Sequence, residues 1–218
     1  MRAHPAMKIY QYFRSGTSHR LRVVLGLKGL AWERVSVDLR AEAHFDPAFK
    51  ALNPQGFVPV LVEGDLVLTQ SPAIIEWIEA RYPDPPLLPA DENDRARVRA
   101  LAALVGCDIH PLNNRRVLQY LRHTLHCDET TVQAWCATWI TQGFDALEAL
   151  LRADPRRGGF CFGHSPTVAD AYLVAQMESA RRFKVDLSPY PLLRAVDAAC
   201  LAIPAVAAAA PFAQPDAN

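Results

Sequence analysis

The apolar residues of this chain change their period once, at Pro83-Asp84-Pro85-Pro86-Leu87-Leu88-Pro89. Four prolines in seven residues make a stiff, extended stretch that neither a helix nor a sheet interior tolerates. Before it, short segments alternate apolar and polar residues or run apolar for a few positions. After it, apolar residues recur at helical spacing throughout. With 218 residues to share, the chain is expected to fold as two parts, each with its own core. These are an α/β domain over 7–82 and an all-helical domain over 93–218, joined by a linker over 83–92.

In the first part, Lys8-Ile9-Tyr10-Gln11-Tyr12-Phe13 alternates and reads as a strand. Residues 18–28 read as an amphipathic helix carrying Leu21, Val24, Leu25 and Lys28, with Gly29 as its stop. Trp32 to Asp38 alternates again, so a right-handed crossover between parallel strands is expected. A short helix over 45–52 follows. Then come a strand from Phe57 to Val62, hairpin chemistry at Glu63-Gly64-Asp65 and a return strand Leu66-Val67-Leu68-Thr69. Pro59 cannot donate to a ladder, so it belongs at an edge, at a strand start or in a cis bend. Ser71 reads as an N-cap with Pro72 at the first helical position.

Beyond the linker a helix over 94–105 is expected, and Pro111 is expected to kink or break the next stretch. Val117, Leu118 and Leu121 continue after it, and Asp128 caps a long helix bearing Trp135 and Trp139 on its core side. Thr167 and Asp170 form a capping box. One further helix spans 190–208, and the tail from Pro211 is expected to fray. Cys107 is assigned to an apolar helix face.

Formal net charge is zero, so there is no electrostatic case for nucleic acid or an anionic membrane as partner. No apolar run approaches the ~20 residues that span a bilayer. Met1 to Ala6 holds one Arg and no apolar core, so a signal peptide is not expected, and Met7 could be the original start. Five scattered cysteines with no C-x-x-C pair suit a reducing cytoplasm. His123, His126 and Cys127 lack a second ligand pair, as do Cys161 and His164, so no metal is expected.

The chemistry concentrates at Arg14-Ser15-Gly16-Thr17-Ser18-His19-Arg20, between the first strand and the first helix. Three hydroxyls and a glycine stand where backbone N–H groups lack partners and the helix dipole is positive. Such a place favours a phosphate, a carboxylate or a thiolate, and it equally suits an ordinary N-cap. Later come two arginine pairs, Arg115-Arg116 and Arg181-Arg182, whose planar forks suit carboxylates or simply a wet helix surface. His110 and Asn114, four apart, are placed on one helical face.

This order of elements, with Val58-Pro59 before a strand and Gln70-Ser71 at a helix start, resembles the glutathione transferase family over nearly the whole chain. Within it the zeta class is indicated by Tyr12-Phe13-Arg14-Ser15 with Ser18 and Arg20-x-Arg22, Ala51-Leu52-Asn53-Pro54, Val58-Pro59, Gln70-Ser71-x-Ala73-Ile74-Ile75-Glu76 and Leu87-Leu88-Pro89. The zeta pattern usually reads Ser-Ser-Cys where this chain has Ser15-Gly16-Thr17. That variant turn, with Asp108-Ile109-His110-Pro111 and Asn113-Asn114-Arg115-Arg116, is similar to bacterial glutathione-dependent maleylpyruvate isomerases of aromatic catabolism.

The resemblance implies an α/β plus all-α fold: an N-terminal thioredoxin-like domain and a C-terminal helical bundle. It also implies a cytoplasmic homodimer with glutathione as cofactor. Glutathione thiolate would add to a cis double bond conjugated to a carbonyl, allow rotation, and leave. Ser15 or Thr17 would stabilise the thiolate, with Arg14 and the backbone of Gly16 beside them. Thr17 is slightly favoured because it stands in the place of the family's Cys. Gln70 and Ser71 would hold the γ-glutamyl end, Val58 the cysteinyl part, and His44 and Gln55 the glycyl end. His110 and Asn114 are further cofactor candidates. Arg14, Arg115, Arg116 and Arg182 would hold a keto-dicarboxylate substrate, with Arg181 as a further candidate. Maleylacetoacetate isomerisation, general conjugation, and a pure binding module remain alternatives.

Overall fold

The computed structural model describes residues 7–217. The reading of the first six residues as lacking a signal peptide lies outside them, as does Asn218. The chain divides into two compact units: one runs to Pro86 and takes in the chain again from Ile203, the other is Leu87–Ala202.

The first unit holds a four-stranded sheet of β1 (Lys8–Gln11), β2 (Glu33–Ser36), β3 (Val60–Glu63) and β4 (Leu66–Thr69), in the order β2-β1-β3-β4. Strand β1 runs parallel to β2, with Lys8 opposite Glu33, and antiparallel to β3. Helices α1 (Gly16–Leu27), α2 (Pro47–Leu52) and α3 (Ser71–Arg81) complete the expected β-α-β-α-β-β-α order. The strands are shorter than their alternation predicts. Tyr12 and Phe13 turn off the sheet, and β3 starts only after Pro59, which has no N–H to give a ladder. The Val58-Pro59 peptide is cis.

Helix α1 departs from the expected amphipathic pattern. Every residue from Ser18 to Leu25 is buried, charged ones included. It has no wet face because it packs against α3 on one side and against the end of the chain on another. Lys28 ends the helix with its ammonium buried. It donates to the carbonyls of Tyr82 (2.8 Å) and Pro85 (2.7 Å) and pairs with Glu79 at 2.5 Å. These bonds hold the first half of the proline stretch in this unit, so the division falls at Pro86, beyond the expected boundary at Tyr82.

The second unit is helical: α4 (Glu92–Ala103), α5 (Arg115–His123), α6 (Glu129–Ala153), α7 (Val168–Arg182) and α8 (Pro191–Leu201). The caps fall where the side chains allow them. Asp91 accepts from the Asp94 N–H at 2.9 Å, and Asp128 from the Thr131 N–H at 2.8 Å. Asp170 accepts the Thr167 N–H and the Cys161 N–H, both at 2.7 Å, and burial pushes its carboxyl up all the same. The core gathers Val98, Ile109, Ile140, Phe144, Met177 and Leu193.

The break ahead of α5 is longer than Pro111 alone requires. The chain widens into a π-helical turn at Leu104–Ile109 and tightens into a 3₁₀ turn at His110–Asn113. A Cβ on Gly143 would lie 2.2 Å from Ile109 Cδ1, so α6 has a gap at this point and Ile109 fills it. Trp135, expected in the core, is half-buried and donates from Nε1 to the Leu112 carbonyl at 2.7 Å. Cys107 lies on the exposed side of the π turn, not on an apolar face.

The expected single helix over 190–208 is two. Pro204 cannot continue α8, and α9 (Pro204–Ala208) starts afresh. From Ile203 the chain returns to the first unit, so the helical part ends well before residue 218. Helix α9 reaches α1 where Gly26 has no side chain; a Cβ there would stand 3.0 Å from the Ala205 carbonyl oxygen. The tail does not fray. Gln214 Nε2 donates to the carbonyls of Ala208 (2.8 Å) and Ala210 (2.9 Å), and Ser36 Oγ donates to Asp216 at 2.7 Å. Among the described residues no helix is long and apolar enough to cross a membrane.

Candidate active site

In the first unit the turn out of β1 places Ser15 as the N-cap of α1, with extended φ and ψ and Oγ accepting the Ser18 N–H at 3.2 Å. The ordinary cap role is therefore real, and the hydroxyl does more besides. Ser15 Oγ lies 2.8 Å from Thr17 Oγ1, and Thr17 donates its proton to the Val58 carbonyl at 2.9 Å. A hydroxyl has one proton. With that of Thr17 spent on Val58, Ser15 must be the donor to Thr17. Thr17 thus ties α1 to the Val58 loop, and Ser15 keeps a proton that can swing to an incoming anion.

The expected cap at Ser71 is displaced by one residue. Gln70 adopts φ +67°, a left-handed backbone that strains any residue but glycine, and Ser71 becomes the first helical residue of α3. Strain of this kind persists where the surroundings impose it, and it gathers at binding sites. The Ser71 oxygen accepts from Arg20 Nε (2.9 Å) and Nη2 (2.7 Å) in a buried setting, which leaves its own proton to offer. Gln70 Nε2 donates to Gln55 Oε1 at 2.6 Å, so these two candidates meet. His44 is buried and packs its ring against that of Phe45, with centroids 4.0 Å apart. Gly56 closes over it with φ +67°, where a Cβ would come within 2.9 Å of the His44 carbonyl oxygen. Arg14 is exposed at the turn.

In the second unit His110 and Asn114 do not share a helical face. His110 opens the 3₁₀ turn, while Asn114 is extended (ψ 148°) and caps α5 by accepting the Arg116 N–H at 3.2 Å. Arg115 and Arg116 occupy the first turn of α5, which carries no acidic residue. Cations there oppose the helix dipole, so local stability does not explain the pair. Arg115 Nη1 is buried and makes no hydrogen bond among the described residues. The second pair is different. Arg181 and Arg182 sit in the last turn of α7, where cations are favoured. Arg181 is committed to the buried carboxylate of Asp197 and to Glu178, which removes it from the substrate candidates. Arg182 lies over the Phe183 ring, 4.6 Å from its centroid.

Sequence reasoning missed the buried polar face of α1. Arg20 positions Ser71. Arg22, 1% exposed, and His19 lie beneath the turn, where burial and the Arg22 charge push the His19 imidazole down to about 3. The signal was present: two arginines flanking Leu21 in an apolar run leave the helix no polar side of its own.

A family model for the glutathione S-transferase N-terminal domain matches residues 14–81, from the turn through Gln70-Ser71 to the end of α3. A maleylpyruvate isomerase from a Ralstonia species is 64% identical over 210 residues, 96% of this chain and 99% of its own length. The holo structure of a maleylpyruvate isomerase, described as a bacterial glutathione transferase of the zeta class, matches at TM-score 0.95 and 63% identity, covering 97% of this chain and 100% of that one. The chain belongs to the zeta-class glutathione transferase family. Another structure similar to this zeta-class chain is the maleylacetoacetate isomerase of Anaeromyxobacter dehalogenans, solved with dicarboxyethyl glutathione and citrate in its active site. It matches at TM-score 0.88 and 42% identity, covering 100% of this chain and 96% of that one. The four-stranded sheet with its flanking helices is the thioredoxin-like part of this zeta-class fold.

Proposed function

We propose that this zeta-class enzyme isomerises maleylpyruvate to fumarylpyruvate with glutathione as its catalytic cofactor. The observation that carries this reading is the Ser15–Thr17–Val58 hydrogen-bond chain at the start of α1. When bound, glutathione would supply the sulfur nucleophile for reversible addition to the cis double bond. The donors here fit a thiolate: a helix start with unfilled N–H groups, and a serine proton that is free to reorient. Ser15, which Thr17 holds in place, keeps the sulfur anionic near neutral pH.

Gln70, Ser71 and Gln55 hold the peptide's carboxylate ends. The Ser71 hydroxyl and the N–H groups that open α3 would hold the γ-glutamyl carboxylate. Val58 has a carbonyl already accepting from Thr17, so its N–H is the stronger contribution to the cysteinyl unit. His44, His110, Asn114 and the Gly16 backbone complete the cofactor set. Arg14, Arg115, Arg116 and Arg182 fix the substrate's carboxylates and stabilise negative charge gathering on its keto oxygen. Homodimer assembly and a cytoplasmic location belong to the same proposal. The first rests on family membership, the second on five cysteines that are all free thiols.

The second reading is maleylacetoacetate isomerisation, favoured by the Anaeromyxobacter relative. Specificity constants decide. The proposal expects a higher kcat/KM for maleylpyruvate than for maleylacetoacetate, and little conjugation of a chlorinated aromatic. The reverse order of the two diacids would install the second reading, and dominant conjugation would overturn both.

A further inference from the structure

Arg22 is among the largest fully buried side chains of the described residues, and it makes three hydrogen bonds that join two distant pieces of chain. Nη1 donates to Gln11 Oε1 at the end of β1 (3.1 Å) and Nη2 to the Phe13 carbonyl (3.0 Å), one residue before Arg14. Nε donates to the Ala209 carbonyl in the returning C-terminal segment (2.9 Å). Three directional bonds from one rigid fork fix the chain entering the hydroxyl turn against residues almost two hundred positions later.

The segment 204–217 meets the same spot independently of Arg22. Phe212 packs edge-on against Phe13, with ring centroids 6.2 Å apart, and Ala217 packs against the cluster containing Tyr12 and Phe13. Asp216 accepts from Ser36 at 2.7 Å, and its charge supports that of Arg22 against burial and the repulsion of Arg34. Gln214 ties the segment to itself through Ala208 and Ala210. The Ser15 N–H in turn donates to the Tyr12 carbonyl at 3.1 Å, so the position of Tyr12-Phe13 is handed directly to the capping serine.

We propose that the C-terminal segment 204–217, acting through Arg22, is a positioning strap that holds the Arg14–Thr17 turn in the geometry the thiolate needs. Neither Arg22 nor Asp216 touches substrate or cofactor in this account. They act by fixing Phe13, and through it Ser15. The inference rests on the reading of the turn as the thiolate seat.

The test is the thiol pKa of enzyme-bound glutathione, followed by thiolate absorbance against pH, with kcat and KM for each substrate. The variants are Asp216→Asn, Phe212→Ala and Arg22→Lys, with Ser15→Ala as the control on the turn itself. Asp216 is half-buried and Phe212 is 74% exposed, so both variants are expected to fold even if Arg22→Lys does not. The strap variants are expected to raise the thiol pKa and to lower kcat at neutral pH by up to ~10-fold, with the diacid KM within about twofold of wild type. The sign is diagnostic for Asp216→Asn, because loss of a negative charge alone would lower the thiol pKa. An unmoved thiol pKa in Asp216→Asn and Phe212→Ala, with only the melting temperature reduced, would make the segment structural and overturn the inference while Ser15→Ala still shifts it. An unmoved pKa in Ser15→Ala would instead overturn the reading of the turn, and the strap's role with it.

Discussion

Ser15 and Thr17 are two residues apart and chemically alike, yet their protons are not equally available. Thr17 has given its proton to a fixed backbone carbonyl, that of Val58; Ser15 has given its proton only to the neighbouring Thr17 hydroxyl and can turn it to an incoming anion. Ser15→Ala should raise the pKa of bound glutathione and cut kcat/KM by about 10- to 100-fold at neutral pH, whereas Thr17→Val should act more weakly, by loosening the Val58 loop. Steady-state kinetics on the two variants check this, and equal losses would return Thr17 to the role favoured by its place in the family pattern. That a hydroxyl turn stood here was legible in Ser15-Gly16-Thr17-Ser18. Which proton could be redirected was not, because the deciding carbonyl lies 41 residues away in sequence.

His19, buried beside Arg22, should make stability depend on pH. Its folded pKa is about 3 against 6.5 unfolded, because burial and Arg22 disfavour the imidazolium. The unfolded chain therefore takes up the proton first. Stability is untouched above about pH 6.5 and falls as pH drops toward 3, by a few kcal/mol in total. Denaturant midpoints across that range should slope for wild type and flatten for His19→Gln; parallel slopes would remove His19 as the cause.

At the scale of elements, the caps at Asp91, Asp128 and Thr167-Asp170 could be read from side chains alone, because a cap is a local bargain between a side chain and nearby N–H groups. The π turn could not. It exists because Gly143, more than thirty residues later, leaves room for Ile109. Gly143→Ala should cost about 1–3 kcal/mol by overpacking, since Ile109 is fully buried and has nowhere to go. Chemical denaturation measures it, and an unchanged midpoint would mean that α6 shifts freely. The same distant packing separates His110 from Asn114, which simple helical counting had put on one face. The arginine pairs divide for electrostatic reasons. Arg181→Ala should lower stability by about 1–3 kcal/mol, by stranding the buried Asp197, and leave the diacid KM near wild type. Arg116→Ala and Arg182→Ala should raise that KM more than they weaken glutathione binding. Wild-type kinetics in both would take them out of the site.

On the scale of the whole molecule, the change of period at the proline stretch announced two folding units, and family motifs spread from Tyr12 to Pro89 announced which kind. What stayed hidden was the return of the chain after Ile203. An Ala-rich helix and tail carry almost no pattern of their own, and their place is set by Gly26, Arg22 and Ser36 in the other half of the sequence. The candidate site residues could be proposed from their types alone; the hydrogen bonds that position the hydroxyl turn join residues far apart in sequence. The central claim is that sulfur supplied by glutathione, and not a protein side chain, carries the isomerisation. The most direct test follows maleylpyruvate and fumarylpyruvate with purified enzyme while glutathione is varied and assayed. No turnover is expected without glutathione, with saturable turnover in its presence and glutathione recovered unconsumed. Equal rates in its absence would show that a protein side chain, and not glutathione, carries the isomerisation.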